Sequence, residues 1–147
     1  MGMVENIDDF QFMDMLTDVC RLFIHYTDSR LRSVRLRTGQ ASIVSILGRC
    51  GQLSLKEIAE KRGISVPTTS VLVSRMERDG LVLRRPPKDG GKADDVILSP
   101  KGERICERMR KLVLEDADNI LSGFTDEDKQ YLLKIYNKLL EKFSISR

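Results

Sequence analysis

The spacing of apolar residues changes along the chain and divides it into helical and extended segments. Between residues 9 and 27 apolar side chains recur at helical spacing, and the same period returns near the C-terminus. Two short helical patterns in the middle are followed by two extended runs around a segment rich in proline and glycine. The pattern therefore predicts a mainly α protein with one small β-hairpin.

The two short helices are predicted to lie within a few residues of each other. The first begins after Ser54, because the Ser54 hydroxyl and the Glu57 carboxylate can cap each other's backbone, and it ends at Gly63. Ser65 can cap the second helix, and Pro67 is tolerated in its first turn. The apolar spacing gives the second helix this buried face: Thr69, Leu72, Val73 and Met76. Helices so close in sequence must cross at a steep angle, as in a helix-turn-helix.

The outer face of the second helix carries small and basic side chains, which can approach base edges and phosphates. These residues are Pro67, Thr68, Val71, Ser74, Arg75 and Arg78. After Gly80 the pattern becomes extended, and residues 81–85 and 96–98 predict two strands of a hairpin. The hairpin tip contains glycine and lysine, so it can reach toward a phosphate backbone.

This order of motifs resembles the MarR family of transcriptional regulators. The resemblance rests on residues 38–40 (TGQ), 53–59 (LSLKEIA), 64–70 (ISVPTTS), 76–82 (MERDGLV) and 98–102 (LSPKG). It implies a winged helix-turn-helix with N- and C-terminal dimerisation helices. It also implies a ligand-responsive repressor that binds an inverted repeat of double-stranded DNA as a homodimer and senses a small aromatic or anionic effector.

We expect residues 1–37 to form an N-terminal helix of the dimerisation region. Residues 38–98 should form the winged helix-turn-helix, and residues 99–147 the C-terminal dimerisation helices. Aromatic residues are confined to the two ends of the chain, and none lies between Tyr26 and Phe124. The terminal helices can therefore either complete a monomeric core or form a dimer, and we favour the dimer.

We predict that the second helix enters the major groove and that Lys88 or Lys92 reaches an adjacent phosphate from the wing. The predicted DNA-binding residues are Ser65, Pro67, Thr68, Thr69, Ser70, Ser74, Arg75, Arg78, Arg84, Arg85, Lys88 and Lys92.

Two positions depart from the family pattern. Family members commonly carry arginine where this chain has Val71, and an aspartate and an arginine near the wing tip where it has Gly90 and Lys92. These changes remove charge-assisted and bidentate contacts. A second hypothesis is therefore a winged-helix protein-interaction module that has lost DNA readout.

Candidate sensing residues lie in the first two helical segments, and they allow two kinds of signal. His25, Tyr26 and Arg49 are candidate effector-binding residues by their position in the chain, although a packing or surface role is the simpler expectation for each. Cys20 lies in the first helix, where one branch of the family senses organic peroxide through a cysteine. A redox-sensing regulator is thus an alternative, while burial as a structural residue is the simpler expectation for Cys20.

Charge is distributed unevenly around a formal net charge of +3. Residues 1–29 hold six acids and one arginine, residues 30–37 hold four arginines and no acid, and residues 54–92 hold nine bases and five acids. Such a basic region favours phosphate attraction, although the cluster at 30–37 can also be ordinary solvated surface.

The chemistry-bearing residues argue against catalysis. His25 is the one histidine, and no phosphate-binding loop, nucleophile elbow or zinc-protease motif occurs. Three scattered cysteines form no CxxC pair, so we expect neither a disulfide framework nor a metal site, and no cofactor. With 147 residues and no apolar stretch of membrane-spanning length, we expect a cytoplasmic protein that is not an enzyme.

Overall fold

The computed structural model describes residues 7–144. Helices account for most of these residues, and two short strands form a hairpin, as the sequence predicted. In chain order the elements are α1 (Asp9–Leu31), a 3₁₀ turn (Arg32–Val34), α2 (Thr38–Cys50), α3 (Leu55–Arg62), α4 (Val66–Arg78), β1 (Val82–Arg85), β2 (Asp95–Leu98), α5 (Pro100–Leu121) and α6 (Asp126–Ser144).

The predicted boundaries of α3 and α4 are confirmed by their caps. The Glu57 backbone N–H donates to Ser54 Oγ (3.2 Å), and the Ser54 N–H donates to Glu57 Oε2 (2.7 Å). Gly63 ends α3 in the left-handed conformation, with φ of 72°. Ser65 Oγ then accepts the Thr68 N–H (3.3 Å) at the start of α4. These local signals place α3 and α4 around a three-residue turn, as in a helix-turn-helix.

The core of this region lies between α2, α3, α4 and the hairpin. Each of these elements contributes fully buried apolar side chains, and burial of one such side chain stabilises a fold by about 1.5–3 kcal/mol. The largest are Ile43, Val44, Ile58, Val73, Met76, Val82 and Val96. These four elements therefore share one apolar core.

The hairpin is antiparallel, with Val82 opposite Leu98 and Arg85 opposite Asp95. Leu53, just before α3, adds a backbone bridge to Val96: Leu53 N–H donates to Val96 O (3.1 Å), and Val96 N–H donates to Leu53 O (2.7 Å). This bridge, which the sequence did not reveal, fixes the hairpin against the segment that leads into α3.

A close approach between α5 and β1 explains the sequence 98–102. Ser99 Oγ donates to Gly80 O (2.6 Å) and accepts the Gly102 N–H (2.9 Å), while the Ser99 N–H donates to Leu81 O (3.0 Å). A Cβ on Gly102 would overlap the Leu81 carbonyl oxygen. Glycine at position 102 is thus what allows α5 to start against the hairpin.

The chain forms two compact units, Met1–Arg110 and Lys111–Arg147. In the first unit, α1 has no buried residue, and Phe10 is 81% exposed. The alternative in which the N-terminal helix completes a monomeric core is therefore wrong for the described residues. No described helix is both long enough and apolar enough to cross a membrane.

In the second unit, Thr125 and Asp128 form the predicted cap of α6, because Thr125 Oγ1 accepts the Asp128 N–H (3.1 Å) and Asp128 Oδ2 accepts the Thr125 N–H (2.9 Å). The apolar side of α6 is open to solvent, because Tyr131, Tyr136 and Phe143 are all more than half exposed. Both units thus present apolar surface at the chain ends, which is typical of a protein interface.

Candidate nucleic-acid interface

One side of α4 is open to solvent and carries the small and basic residues that the sequence placed there. Helical spacing puts Pro67, Thr68, Val71, Ser74, Arg75 and Arg78 on this side, and all six are exposed. We call this set the α4 face. Val71, in the middle of it, is 52% exposed and is a bare apolar side chain between polar ones. The α4 face therefore combines hydroxyl donors, guanidinium groups and one methyl-bearing surface.

Thr69 does not belong to this interface, which corrects the sequence prediction. It is fully buried, and its hydroxyl donates to Ser65 O (3.0 Å). Helical periodicity had already placed Thr69 on the buried side, and that placement is confirmed. Ser70, on the border between the two sides, is half-buried.

Hydroxyl groups at the start of α4 are already engaged with one another. Ser65 Oγ lies 2.8 Å from Thr68 Oγ1, and it also caps the helix. Both residues remain exposed, so each hydroxyl keeps a free direction toward solvent. The hydroxyl groups of Ser65 and Thr68 are thus held by a hydrogen bond to each other and do not rotate independently.

The wing is braced at its base by Asp95, which is buried. Asp95 Oδ2 accepts hydrogen bonds from Gln52 Nε2 (2.9 Å) and from the Lys88 backbone N–H (3.0 Å). These donors, the Gln52 amide first, hold the pKa of Asp95 below its usual range. Gln52 Nε2 also donates to Pro86 O (2.9 Å), so one amide group ties both edges of the wing to the segment before α3.

Lys88 is exposed, as its predicted contact with DNA requires, but its ammonium is already hydrogen-bonded to the protein backbone. Lys88 Nζ donates to Gln52 O (2.6 Å) and completes the brace. Lys92, at the tip, is exposed and remains available. Of the strand arginines, Arg84 pairs loosely with Glu77 (3.5 Å), whereas Arg85 is exposed.

Gln52 is the residue that sequence reasoning missed at this site. Its neighbours in the chain gave no sign of a role, because its partners are 34 and 43 positions away. Family members commonly have an aspartate and an arginine near the wing tip, where this chain has Gly90 and Lys92. Here the hydrogen bond between Gln52 and Asp95 holds the base of the wing instead.

The residues proposed for sensing are exposed, but the structure does not gather them into a cavity. His25 and Tyr26 lie on α1 and Arg49 near the end of α2, and none lines the cavity between α2 and α4 that is described below. Cys20 is also exposed in the single chain, contrary to the expectation of burial. Its charged neighbours Asp18 and Arg21 pair with each other at 2.9 Å. No group of residues able to hold a metal ion occurs between residues 7 and 144.

Comparison with known proteins gives the family. The model of the MarR family matches residues 36–92, which include α2, α3, α4 and the wing as far as Lys92. The homoprotocatechuate degradative operon repressor of Escherichia coli is 32% identical over 104 residues, covering 71% of this chain and 68% of that protein. The chain belongs to the MarR family.

Other proteins match over more of the chain. An uncharacterised HTH-type transcriptional regulator of Bacillus subtilis, YwoH, is 26% identical over 122 residues, which are 83% of this chain and 88% of that protein. The crystal structure of Streptococcus pneumoniae FabT in complex with DNA superimposes with a TM-score of 0.85 at 15% identity, covering 95% of this chain and 100% of that one. The shared fold confirms the winged helix-turn-helix architecture.

Proposed function

We propose that this protein is a sequence-specific, duplex-DNA-binding transcriptional regulator that acts as a dimeric, ligand-responsive repressor. The observation that carries the proposal is the α4 face, where Arg75 and Arg78 lie exposed beside Thr68 and Ser74. Arginine and hydroxyl side chains can donate to base edges and phosphates in the major groove. The wing, whose base is braced by Asp95, adds the exposed Lys92 at its tip.

The proposed DNA contacts follow the sequence prediction without Thr69, which is buried, and without Lys88, whose ammonium is already hydrogen-bonded to Gln52 O. They are Ser65, Pro67, Thr68, Ser70, Ser74, Arg75, Arg78, Arg84, Arg85 and Lys92. Thr69 and Lys88 have structural roles instead, because Thr69 lies on the buried side of α4 and Lys88 braces the wing.

The dimer is supported by the exposed apolar surface at both chain ends. Phe10, Val19 and Phe23 of α1 are each more than half exposed, as are Tyr136 and Phe143 of α6. We propose that residues 1–37 and 99–147 of two chains bury this surface together. Two-fold symmetry would then place two α4 helices on half-sites about one helical turn, roughly 34 Å, apart.

The decisive experiment is selection of bound sites from a random duplex pool at near-physiological salt. Enrichment of an inverted repeat with half-sites one turn apart is the expected result. Replacing Arg75 and Arg78 with alanine should then abolish binding to the enriched site while far-ultraviolet circular dichroism stays unchanged. If no sequence is enriched, or if the double variant binds with wild-type affinity, the DNA-reading proposal is refuted.

A selection in which no sequence is enriched would favour the other hypothesis, that the protein is a winged-helix protein-interaction module without DNA readout. Val66 and Val71 support it, because they are 42% and 52% exposed on the same helix. The alternatives are separated by the same selection, since a protein-interaction module retains duplex DNA without sequence preference and loses it with modest added salt.

A small aromatic or anionic molecule is the proposed effector. The E. coli relative is named for an operon that degrades homoprotocatechuate, an aromatic acid, and this supports the class of molecule. Release of the selected duplex by a panel of aromatic acids tests the proposal. Cys20 gives the alternative signal: if peroxide releases DNA and Cys20→Ser prevents the release, the regulator senses oxidation.

We further propose that the protein is a regulator without catalytic activity and acts in the cytoplasm, where its DNA target lies. The relatives that match it are transcriptional regulators. Its one histidine is exposed on α1, and the described residues around it form no relay for acid–base chemistry.

A further inference from the structure

A cavity of about 850 Å³ lies between the start of α2 and the C-terminal half of α4. We call it the basic cavity. Most of its charged lining is arginine, and Asp79 is the one acid among the lining residues. The arginines are Arg32, Arg35, Arg37, Arg75 and Arg78. The arginine cluster that the sequence showed at 30–37 thus meets the arginines of α4 in one place.

The positive charge of this cavity is largely uncompensated. Asp79 Oδ2 accepts a hydrogen bond from Gln40 Nε2 (3.1 Å), and Arg32 pairs with Asp28 at 3.4 Å. The other four guanidinium groups have no acidic partner at ion-pair distance among residues 7–144. Like charges that share a cavity repel one another, so the arrangement is complementary to an anion.

The first turn of α2 adds backbone donors to the cavity. Arg37 occupies the cap position of α2, where Gln40 Oε1 accepts the Arg37 N–H (3.1 Å). The arginine side chain has no acceptor for the N–H groups that follow. Gly39 and Gln40, in that turn, line the cavity. A Cβ on Gly39 would lie 3.4 Å from Arg62 Nη2, so a further guanidinium group lies against the same turn. Uncapped N–H groups and the helix dipole both favour a bound anion.

The backbone holds the arginines of the 30–37 cluster in position. Val34 and Leu36 are buried, while Arg35 and Arg37 between and beyond them are exposed. Arg35 has φ of 57° and is the one described non-glycine residue with a positive φ. A left-handed conformation is unfavourable for arginine, and such residues concentrate at functional sites. Because the buried Val34 and Leu36 alternate with Arg35 and Arg37, both arginines lie together at the cavity.

We infer that the basic cavity binds backbone phosphates of the DNA duplex on the flank of the half-site that the α4 face contacts. The inference rests on the proposed function. The α4 face and the cavity are continuous, because Arg75 and Arg78 belong to both. A strand that follows the C-terminal half of α4 would pass from the α4 face across the mouth of the cavity. Arginine suits this role, since its planar fork matches the geometry of phosphate.

The test removes the cavity arginines that do not belong to α4. Arg35→Gly deletes a guanidinium group and also suits the positive φ, so the variant should fold at least as well as the wild type. It is combined with Arg37→Ala. The matched control is Arg110→Ala with Lys111→Ala, because these exposed residues do not line the basic cavity and their loss changes the net charge equally.

Affinity for the selected duplex is measured across a salt series. Each chain of the proposed dimer would lose two phosphate contacts, four in the whole complex. The slope of log affinity against log salt should therefore flatten by about 3.6 units, whereas the control should keep the wild-type slope. The enriched sequence should stay the same, because phosphate contacts carry no base information. A second arm replaces single phosphates with neutral methylphosphonates. The wild type should lose affinity at positions flanking the half-site, and the Arg35→Gly/Arg37→Ala variant should be insensitive there.

Three results would overturn the inference. An unchanged slope in the cavity variant, or an equal change in the control, would show that the cavity does not contact DNA. The third result comes from thermal unfolding with inorganic phosphate added at constant ionic strength. If phosphate raises the Tm of the wild type but not of the cavity variant, and the salt slope of DNA binding is the same for both proteins, the cavity holds a free anion. A selection without an enriched sequence refutes the proposed function instead, so the two failures are distinguishable.

Discussion

Replacing Gly102 with alanine tests how α5 is joined to the hairpin. A Cβ at this position would overlap the Leu81 carbonyl oxygen and lie 3.1 Å from Leu81 C and 3.3 Å from Leu98 Cδ2. The atom it meets first belongs to the backbone and accepts the Ser99 N–H at 3.0 Å, so it cannot move aside like the end of a flexible side chain.

The size of the effect follows from opposing contributions. Forcing a methyl group into a packed site costs about 1–3 kcal/mol, and disturbing the Ser99 hydrogen bond costs about 1 kcal/mol. Alanine gains at most about 1 kcal/mol over glycine through helix propensity. The free energy of unfolding should therefore fall by about 2 kcal/mol per chain, which corresponds to a Tm lower by roughly 4–8 °C for a chain of this size.

Thermal unfolding followed by circular dichroism at one fixed protein concentration measures the change, because the Tm of a dimer depends on concentration. Gly123→Ala is the matched control, since a Cβ at Gly123 meets no atom within 4 Å and its φ is not positive. It should keep the wild-type Tm within about 2 °C. If Gly102→Ala unfolds at or above the wild-type temperature, close approach does not explain the glycine at this position.

Three further predictions concern the wing and the α4 face. Asp95 has a folded pKa below its unfolded value, so its contribution to stability is present above about pH 4 and is lost as pH falls through the folded pKa. The difference in unfolding free energy between wild type and Asp95→Asn in urea should shrink from pH 7 to pH 3, and an equal difference at both values contradicts the brace. Lys92→Ala should weaken binding to all duplexes alike and flatten the salt slope by about one unit for each chain of the dimer, whereas an unmoved slope removes the wing from the interface. Val71 should contact a thymine methyl, so deoxyuridine at that position should lower affinity about fourfold for the wild type and leave Val71→Ala unaffected; equal losses in both proteins exclude the contact.

The sequence was sufficient for the elements whose signals are local. Caps at Ser54, Ser65 and Thr125 and the left-handed Gly63 depend on residues within one turn of the chain, and all four are found where they were predicted. The buried face of α4 follows from helical spacing in the same way. Family resemblance then extended these elements to a winged helix-turn-helix, which the comparisons confirm.

Tertiary structure decided which of the predicted site residues are available. The polar segment around Lys88 predicted an ammonium without a protein partner, but Lys88 Nζ donates to the Gln52 carbonyl oxygen, 36 positions away in the chain. The basic cavity is formed in the same way, from the cluster at 30–37 and residues 75–78 of a helix that follows much later in the chain. Sequence spacing records which face of a helix a residue occupies, because that depends on its near neighbours. It does not record which distant groups meet that face, because this depends on how the packed elements close around their shared core.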